Sequence, residues 1–180
     1  DKIHGQGVAE FANGNRYEGQ FKDDERHGQG VMEFANGDRY EGQWKDDEFM
    51  EGVYEYADGD RYEGQFKDDK IHGQGVMEFA GGNRYEGQWK DGKQHGQGVH
   101  EYADGDRYEG QQKANLFHGR MFTTRSDGSS FTTLWENGEL VSTEDIQSMS
   151  RDELTLELLK LRERVNELSK SDQQEDSEPN

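Results

Sequence analysis

The chain has 180 residues, of which 28% are hydrophobic and 34% are charged, and its formal net charge at pH 7 is −19. A charge of this sign repels phosphate backbones and anionic headgroups over any sizeable face, so it argues against nucleic acid and membrane lipid as ligands. The absence of cysteine excludes disulfides and thiolate metal sites.

A repeat begins at the first residue and continues to about residue 141. Four tyrosine-to-tyrosine spacings of 23, 22, 23 and 23 residues separate five YEGQ segments, which open at Tyr17, Tyr40, Tyr62, Tyr85 and Tyr108. The spacing of 22 reflects one residue missing from EFMEGVYEY, Glu48 to Tyr56. The sequence predicts a partial first copy, five good copies and a degenerate last copy opened by Phe131. Because the chain begins inside a copy, we expect it to be a fragment of a longer array.

Each copy alternates between two kinds of residue. In YEGQWK, from Tyr85 to Lys90, one face carries Tyr, Gly and Trp and the other carries Glu, Gln and Lys. A period of two predicts β-strands. The pairs Asn36-Gly37, Asp58-Gly59, Asp104-Gly105 and Asp127-Gly128 then predict tight hairpin turns with positive φ. A leucine-rich repeat would need leucines that are absent, and a β-propeller would need four strands per copy.

The pattern therefore predicts an all-β repeat fold, an elongated and twisted single-layer antiparallel sheet of successive hairpins. Glycine and the large rings share one face, so a ring can lie over glycine and cover the backbone without a second layer. We expect this face to form a groove, and part of its aromatic surface to remain accessible to a partner. The candidate groove residues are Tyr17, Phe21, Tyr40, Trp44, Tyr62, Phe66, Tyr85, Trp89 and Tyr108.

These motifs resemble the MORN repeat, membrane occupation and recognition nexus. The stretch YEGQWKDGKQHGQGV, Tyr85 to Val99, is similar to the family pattern YEG-x-W/F-x-x-G-x-x-x-G-x-G. The sequence departs from it at the missing residue near Met50, at Gln112 in place of Trp or Phe, and in the copy from Phe131 onward. The resemblance implies a scaffold or adaptor of the cytoplasm, associated with the cytoskeleton or cilia, that binds protein.

Neither catalysis nor a cofactor is predicted. Zn–N bonds are about 2 Å, whereas equivalent positions of neighbouring copies are about 10 Å apart, so the recurrent histidines cannot share an ion. They are predicted to be structural turn residues: His4, His27, His72 and His95. The GQG triplets lack the helix and the lysine of a phosphate loop. We expect no catalytic, cofactor or metal site.

After Val141 the repeat pattern stops, and residues 142–170 are predicted to form a helical cap or short coiled coil. Ser150 to Glu153 forms a capping box, and apolar residues then follow at spacings of 4, 3, 4 and 3: Leu154, Leu158, Leu161, Val165 and Leu168. This helix could dimerise, dock on the sheet or cap its last strand. Residues 171–180 are predicted to be a disordered acidic tail.

The sequence thus favours a non-enzymatic scaffold that holds an amphipathic helix or an extended peptide of a partner protein and forms a homodimer. Two alternatives come from the resemblance. One is a phosphoinositide-binding membrane module, against which stand 29 acidic and 16 basic residues in 1–141. The other is a regulatory repeat region of a larger enzyme.

Overall fold

The computed structural model describes residues 2–145, in which every regular element is a β-strand. The strands are β1 Gly5–Glu10, β2 Arg16–Lys22, β3 Glu25–Glu33, β4 Arg39–Lys45, β5 Glu48–Glu55, β6 Arg61–Lys67, β7 Lys70–Glu78, β8 Arg84–Lys90, β9 Lys93–Glu101, β10 Arg107–Lys113, β11 Leu116–Thr124, β12 Ser130–Glu136 and β13 Glu139–Asp145.

All 13 strands lie in one open sheet in chain order, each hydrogen-bonded to the next. This confirms the predicted sheet of successive antiparallel hairpins. Strand β13 continues past the expected end of the array at residue 141. Of the segment 142–170 predicted to be a helical cap or coiled coil, residues 142–145 belong to β13, and the rest, with the acidic tail, lies outside the described residues. Within residues 2–145, no helix has the length and hydropathy needed to cross a membrane.

One of two alternating turn types confirms the expected role of the Asn-Gly and Asp-Gly pairs. Between β3 and β4, the Phe34 N–H donates to the Asp38 carbonyl and the Gly37 N–H to the Phe34 carbonyl, each at 2.9 Å. The loop therefore holds three residues, and only its glycine has positive φ, 93° at Gly37. Such a loop suits glycine because an L side chain would be strained there.

The other turn type has two residues, both with positive φ, and the sequence interpretation did not single it out. Asp46 and Asp47 have φ values of 51° and 71°. Asp can adopt this left-handed conformation because its short side chain bonds to nearby backbone. Asp47 Oδ1 accepts from the backbone N–H of Arg26 at 2.9 Å, which ties the turn to the preceding hairpin. The remaining turns of this type are Asp23-Asp24, Asp68-Asp69, Asp91-Gly92, Ala114-Asn115 and Asn137-Gly138.

A row of glycines crosses ten neighbouring strands under the large rings. Its members pair with one another in register: Gly7, Gly19, Gly30, Gly42, Gly52, Gly64, Gly75, Gly87, Gly98 and Gly110. A β-carbon at Gly30 would lie 2.5 Å from Cε2 of Tyr17, so no larger residue fits beneath the ring. The expected packing of rings on glycine is therefore present.

The core of this single layer lies on the ring-bearing side of the sheet, the aromatic face. Tyrosine hydroxyls donate to the carbonyl of the glutamine three residues later, as Tyr85 does to Gln88 at 3.0 Å. Trp44 and Trp89 donate Nε1–H to the carbonyls of Gly30 and Gly75, both at 3.2 Å. Each tryptophan thus bonds to the preceding hairpin, and these hydrogen bonds satisfy the polar atoms that burial removes from water.

The other side, the glutamate face, is covered by ion pairs. Arg84 contacts Glu86 on its own strand at 2.6 Å and Glu101 on the next strand at 3.5 Å. The same arrangement recurs at Arg39 and Arg61. Since each of these arginines pairs with two acids of the chain, the charged groups of this face are mainly paired with one another.

Candidate functional site

The predicted groove residues form the floor of the aromatic face. Tyr17, Tyr40, Tyr62 and Tyr85 are 0% exposed, and Trp44, Phe66 and Trp89 are buried as well. Burial raises the pKa of the Tyr85 hydroxyl. Phe21 and Tyr108 are half-buried. In this conformation these nine residues form a layer beneath the surface of the aromatic face. Their contact with a partner stays a prediction.

Tyr108 departs from the other floor tyrosines because a glycine is replaced. The ring of Tyr85 lies over Gly98, but the equivalent position one repeat later is Met121, whose fully buried side chain lies over Gly110. Tyr108 instead stacks on Phe117, with ring centroids 5.6 Å apart. The floor is therefore remodelled at this end of the array.

A second set of rings, which we call the rim aromatics, is more accessible than the floor. It occupies one repeat position just after the odd-numbered strands and comprises Phe11, Phe34, Tyr56, Phe79 and Tyr102. Phe11 and Tyr102 are 41% and 36% exposed, and the other three are half-buried. The sequence interpretation did not include this row in the site. The signal was present, since these rings continue the same alternation.

Aromatic contacts concentrate where one residue is missing from the second full copy, which opens at Tyr40. The ordinary bulge glycine, such as Gly73 with φ 65°, has no counterpart in β5, and Phe49 pairs directly with Trp44. The Phe49 ring contacts five others at centroid distances of 4.4 to 6.4 Å, namely Phe34, Tyr40, Trp44, Tyr54 and Phe66. The missing residue thus marks the densest part of the aromatic face.

A groove of about 500 Å³ opens at this cluster. We call it the central groove; its ring-bearing lining residues are Phe34, Trp44, Phe49, Tyr54, Tyr56 and Phe66. Tyr54 donates its hydroxyl to Asp38 Oδ2 at 2.9 Å, which fixes its ring at the groove wall. Burial, followed by the Asp38 carboxylate, raises the pKa of Tyr54. The groove combines apolar ring faces with four charged lining residues, Arg26, Asp47, Asp69 and Lys70.

An arginine of the chain lies in the wall of the central groove. The Arg26 guanidinium lies 4.4 Å from the centre of the Trp44 ring, and its Nε donates to Asp47 Oδ1 at 2.7 Å. Burial alone would raise the pKa of Asp47, but the hydrogen bonds from Arg26 outweigh it and hold this pKa below its usual value. Ring and carboxylate together hold the cation.

A polar cluster interrupts the core at the other end of the array. His100 stands where earlier copies have Met32 and Met77, and Gln112 stands where they have tryptophan or phenylalanine. Burial lowers the pKa of His100 to about 4, although the neighbouring Gln112 amide acts in the opposite direction. The imidazole is therefore neutral at pH 7 and packs 4.7 Å from the Tyr85 ring centre.

The recurrent histidines lie within odd-numbered strands, except His4, which comes just before β1; they are not turn residues themselves. His4 and His72 accept through Nδ1 from the backbone N–H of Asp23 and Asp91, at 3.3 and 3.4 Å. His118 does the same with Asn137 at 3.4 Å. These contacts agree with the predicted structural role. Across residues 2–145, no group of three or more His, Asp or Glu residues could hold a metal ion.

The fold and its aromatic face define a class, the repeat proteins in which successive hairpins form one open antiparallel sheet. The chain belongs to the MORN repeat family, whose model matches residues 1–16, 17–39, 40–61, 62–84 and 85–107. Four of these matches open at the predicted tyrosines, so the resemblance seen in the sequence is confirmed.

Solved structures with a similar fold exist. The TCP domain of SAS-4 (dCPAP) from Drosophila melanogaster, solved with a proline-rich motif of Ana2 (dSTIL), matches with a TM-score of 0.50 and 13% identity, over 80% of this chain and 88% of that one. The G-box domain of the microcephaly protein CPAP gives 0.32, 17%, 74% and 78%. The Danio rerio CPAP TCP10 domain with a STIL peptide gives 0.31, 19%, 79% and 75%. At these identities the likeness concerns the fold. No curated protein matches the chain.

Proposed function

We propose that this protein is a non-enzymatic scaffold that holds a segment of a partner protein on its aromatic face. The observation that carries the proposal is the central groove, which Phe49 lines together with the half-buried rings of Phe34, Tyr54 and Tyr56. Contiguous accessible apolar surface of this kind marks interaction sites. The buried tyrosine floor makes the surface rigid, so little side-chain order has to be gained on binding.

The segment that we propose for the groove is an extended peptide. Aromatic-lined grooves bind proline-rich segments because such segments are already extended and lose little entropy on binding. The SAS-4 domain, which shares the fold, was solved with a proline-rich motif. That support is an analogy between folds. An amphipathic helix is the competing partner, and the experiment below distinguishes the two.

The proposal gives the two sets of rings different roles. The rim aromatics, with Phe49 and Tyr54, contact the peptide. Floor residues such as Tyr40 and Trp44 act by holding those rings in place, because their own surfaces are covered. Binding energy in such interfaces concentrates in a few aromatic residues.

The test is titration of the full chain with a fluorescent proline-rich dodecapeptide and, separately, with an amphipathic helical peptide of equal length and charge. We expect the proline-rich peptide to bind more tightly. Tyr56→Ala should weaken its binding about tenfold or more, because this change removes an accessible ring. Val53→Ala is the matched control, since Val53 lies on β5, the strand that ends directly before Tyr56, and pairs with Glu41 and Glu63 on the glutamate face. Equal losses in the two variants would contradict the proposal.

We further propose that residues 151–170 supply self-association and that the scaffold is cytoskeletal or ciliary, as the family resemblance implies. The excess of acidic residues disfavours lipid headgroups as ligands of the repeats.

A further inference from the structure

The charges on the turns beside the rim aromatics differ from copy to copy. Next to Tyr56 the three-residue turns carry Asp38, Asp58 and Asp60, whereas the turn that follows Phe79 carries Gly81 and Asn83. These turns occupy the same structural position in each copy, so the fold itself does not require their acidic residues. Asp38, Asp58 and Asp60 lie beside the tyrosine rings of the central groove.

The backbone does not require aspartate at these positions. Asp60 Oδ1 accepts from the Ala80 N–H at 2.9 Å, and Asn83 Oδ1 accepts from the Ala103 N–H at 3.0 Å. Asn15 makes the same bond to Ala35. Asparagine therefore satisfies the turn equally well, and the charge of Asp60 is free to serve another purpose.

An equivalent aspartate later in the chain shows which group a carboxylate at this position can bind. Two copies later the equivalent acid is Asp106, whose Oδ1 accepts from the Ser126 N–H while Oδ2 pairs with the Arg125 guanidinium at 2.7 Å. At Asp60 the residue equivalent to Arg125 is Phe79, and no donor among the described residues 2–145 reaches the second carboxylate oxygen. Arg26, between Trp44 and Asp47, shows the same preference for a cation between a ring and a turn aspartate.

We infer that the partner segment is basic and that one of its arginine or lysine side chains lies over the Tyr56 ring beside the Asp60 carboxylate. Charge complementarity favours this occupant, because three acids surround an accessible aromatic face and attract a cation on the ring quadrupole. Burial, followed by Asp38, Asp60 and Asp58, raises the pKa of Tyr56, which agrees with their closeness to the ring. The inference rests on the proposed function, since it specifies the peptide in the same groove.

The experiment compares three proline-rich dodecapeptides that differ only at the central residue, which is arginine, citrulline or glutamate. Citrulline keeps the shape of arginine without its charge. We expect the full chain to bind the arginine peptide about tenfold more tightly than the citrulline peptide. Asp60→Asn should remove most of this difference while leaving the citrulline peptide unaffected. Asp68→Asn is the control with the same change in net charge, because Asp68 lies in one of the two-residue turns and not in a turn beside the rim aromatics.

The outcomes separate the two ideas. If the arginine and citrulline peptides bind equally, the groove remains a peptide site but the inference is overturned. If Asp60→Asn and Asp68→Asn weaken the arginine peptide equally, the attraction comes from the overall charge and the inference is again overturned. If none of the three peptides binds, the proposed proline-rich ligand and the inference both fail.

Discussion

The ring of Tyr62 lies directly over Gly75, so that a β-carbon added at residue 75 would lie 2.5 Å from Cε2 of the ring. The tyrosine is fully buried and donates its hydroxyl to the Gln65 carbonyl at 3.0 Å, which leaves it no space to move aside. Glycine and tyrosine thus form one packing unit that recurs along the sheet.

Gly75→Ala should therefore destabilise the protein by about 3 kcal/mol, in the range of severe overpacking. Gly81→Ala is the matched control, because a β-carbon there has no heavy atom within 4 Å and its φ is ordinary. It should be neutral or stabilise slightly, since alanine lowers the entropy of the unfolded chain. Urea unfolding of both variants measures this, and equal free energies of unfolding would contradict the packing argument.

Trp89→Ala should lower the free energy of unfolding by about 3 kcal/mol. Trp89 is 6% exposed and its Nε1–H donates to the Gly75 carbonyl, so the change removes both packing and a hydrogen bond. Lys90→Ala should change stability by less than about 0.5 kcal/mol, because Lys90 is exposed on the glutamate face. Peptide binding should follow the same order, and similar damage from both variants would show that the face assignment is wrong.

Ala114→Gly should stabilise the protein by about 1 kcal/mol. Ala114 has a φ of 52° in a two-residue turn, where alanine is strained and glycine is not. Ala12→Gly is the control, because Ala12 lies in an exposed loop outside the positive-φ set and should be destabilised slightly by the added chain entropy. Thermal unfolding would show a higher Tm for the first variant only.

Stability should fall as the pH drops from about 6.5 to about 4. The folded protein keeps His100 neutral, with its pKa lowered to about 4, whereas the unfolded chain binds a proton below about 6.5. Unfolding therefore takes up a proton in this window, and the loss is about 3 kcal/mol at most. His100→Met should flatten the curve, since Met32 and Met77 hold the equivalent position. An unchanged pH profile in that variant would contradict the role of His100.

The full chain should be a dimer in solution, and a version ending at Asp145 a monomer. The predicted seam of residues 151–170 needs an apolar partner surface, and cutting after Asp145 leaves β13 intact. Light scattering on both chains decides the matter. If both chains are monomers, the predicted dimer is wrong. If both are dimers, the interface lies in the repeats and not in the predicted helix.

The alternation of residues was sufficient to predict the hairpins and the packing of rings on glycine, because a period of two fixes which side chains share a face. It could not predict how deeply each ring is buried. Tyr17 and Tyr102 both lie on the aromatic face, yet the first is covered by Phe21 and Trp44 and the second lies at an exposed turn. Coverage depends on contacts between repeats, which no single copy contains. For the same reason the displacement of Tyr108 by Met121 was not visible in the YEGQ segment itself.

Trp44 and Trp89 donate hydrogen bonds to carbonyls of the hairpin that precedes them. Asp47 likewise accepts a hydrogen bond from Arg26, which belongs to the preceding hairpin. A hairpin taken alone would therefore leave polar groups and a tyrosine ring uncovered, so stability resides in the junctions between neighbours. In such one-dimensional arrays each repeat is stabilised mainly by its neighbours. The lining of the central groove comes from β3, β4, β5, β6 and β7 and the turns beside them, so its shape depends on several of these junctions at once.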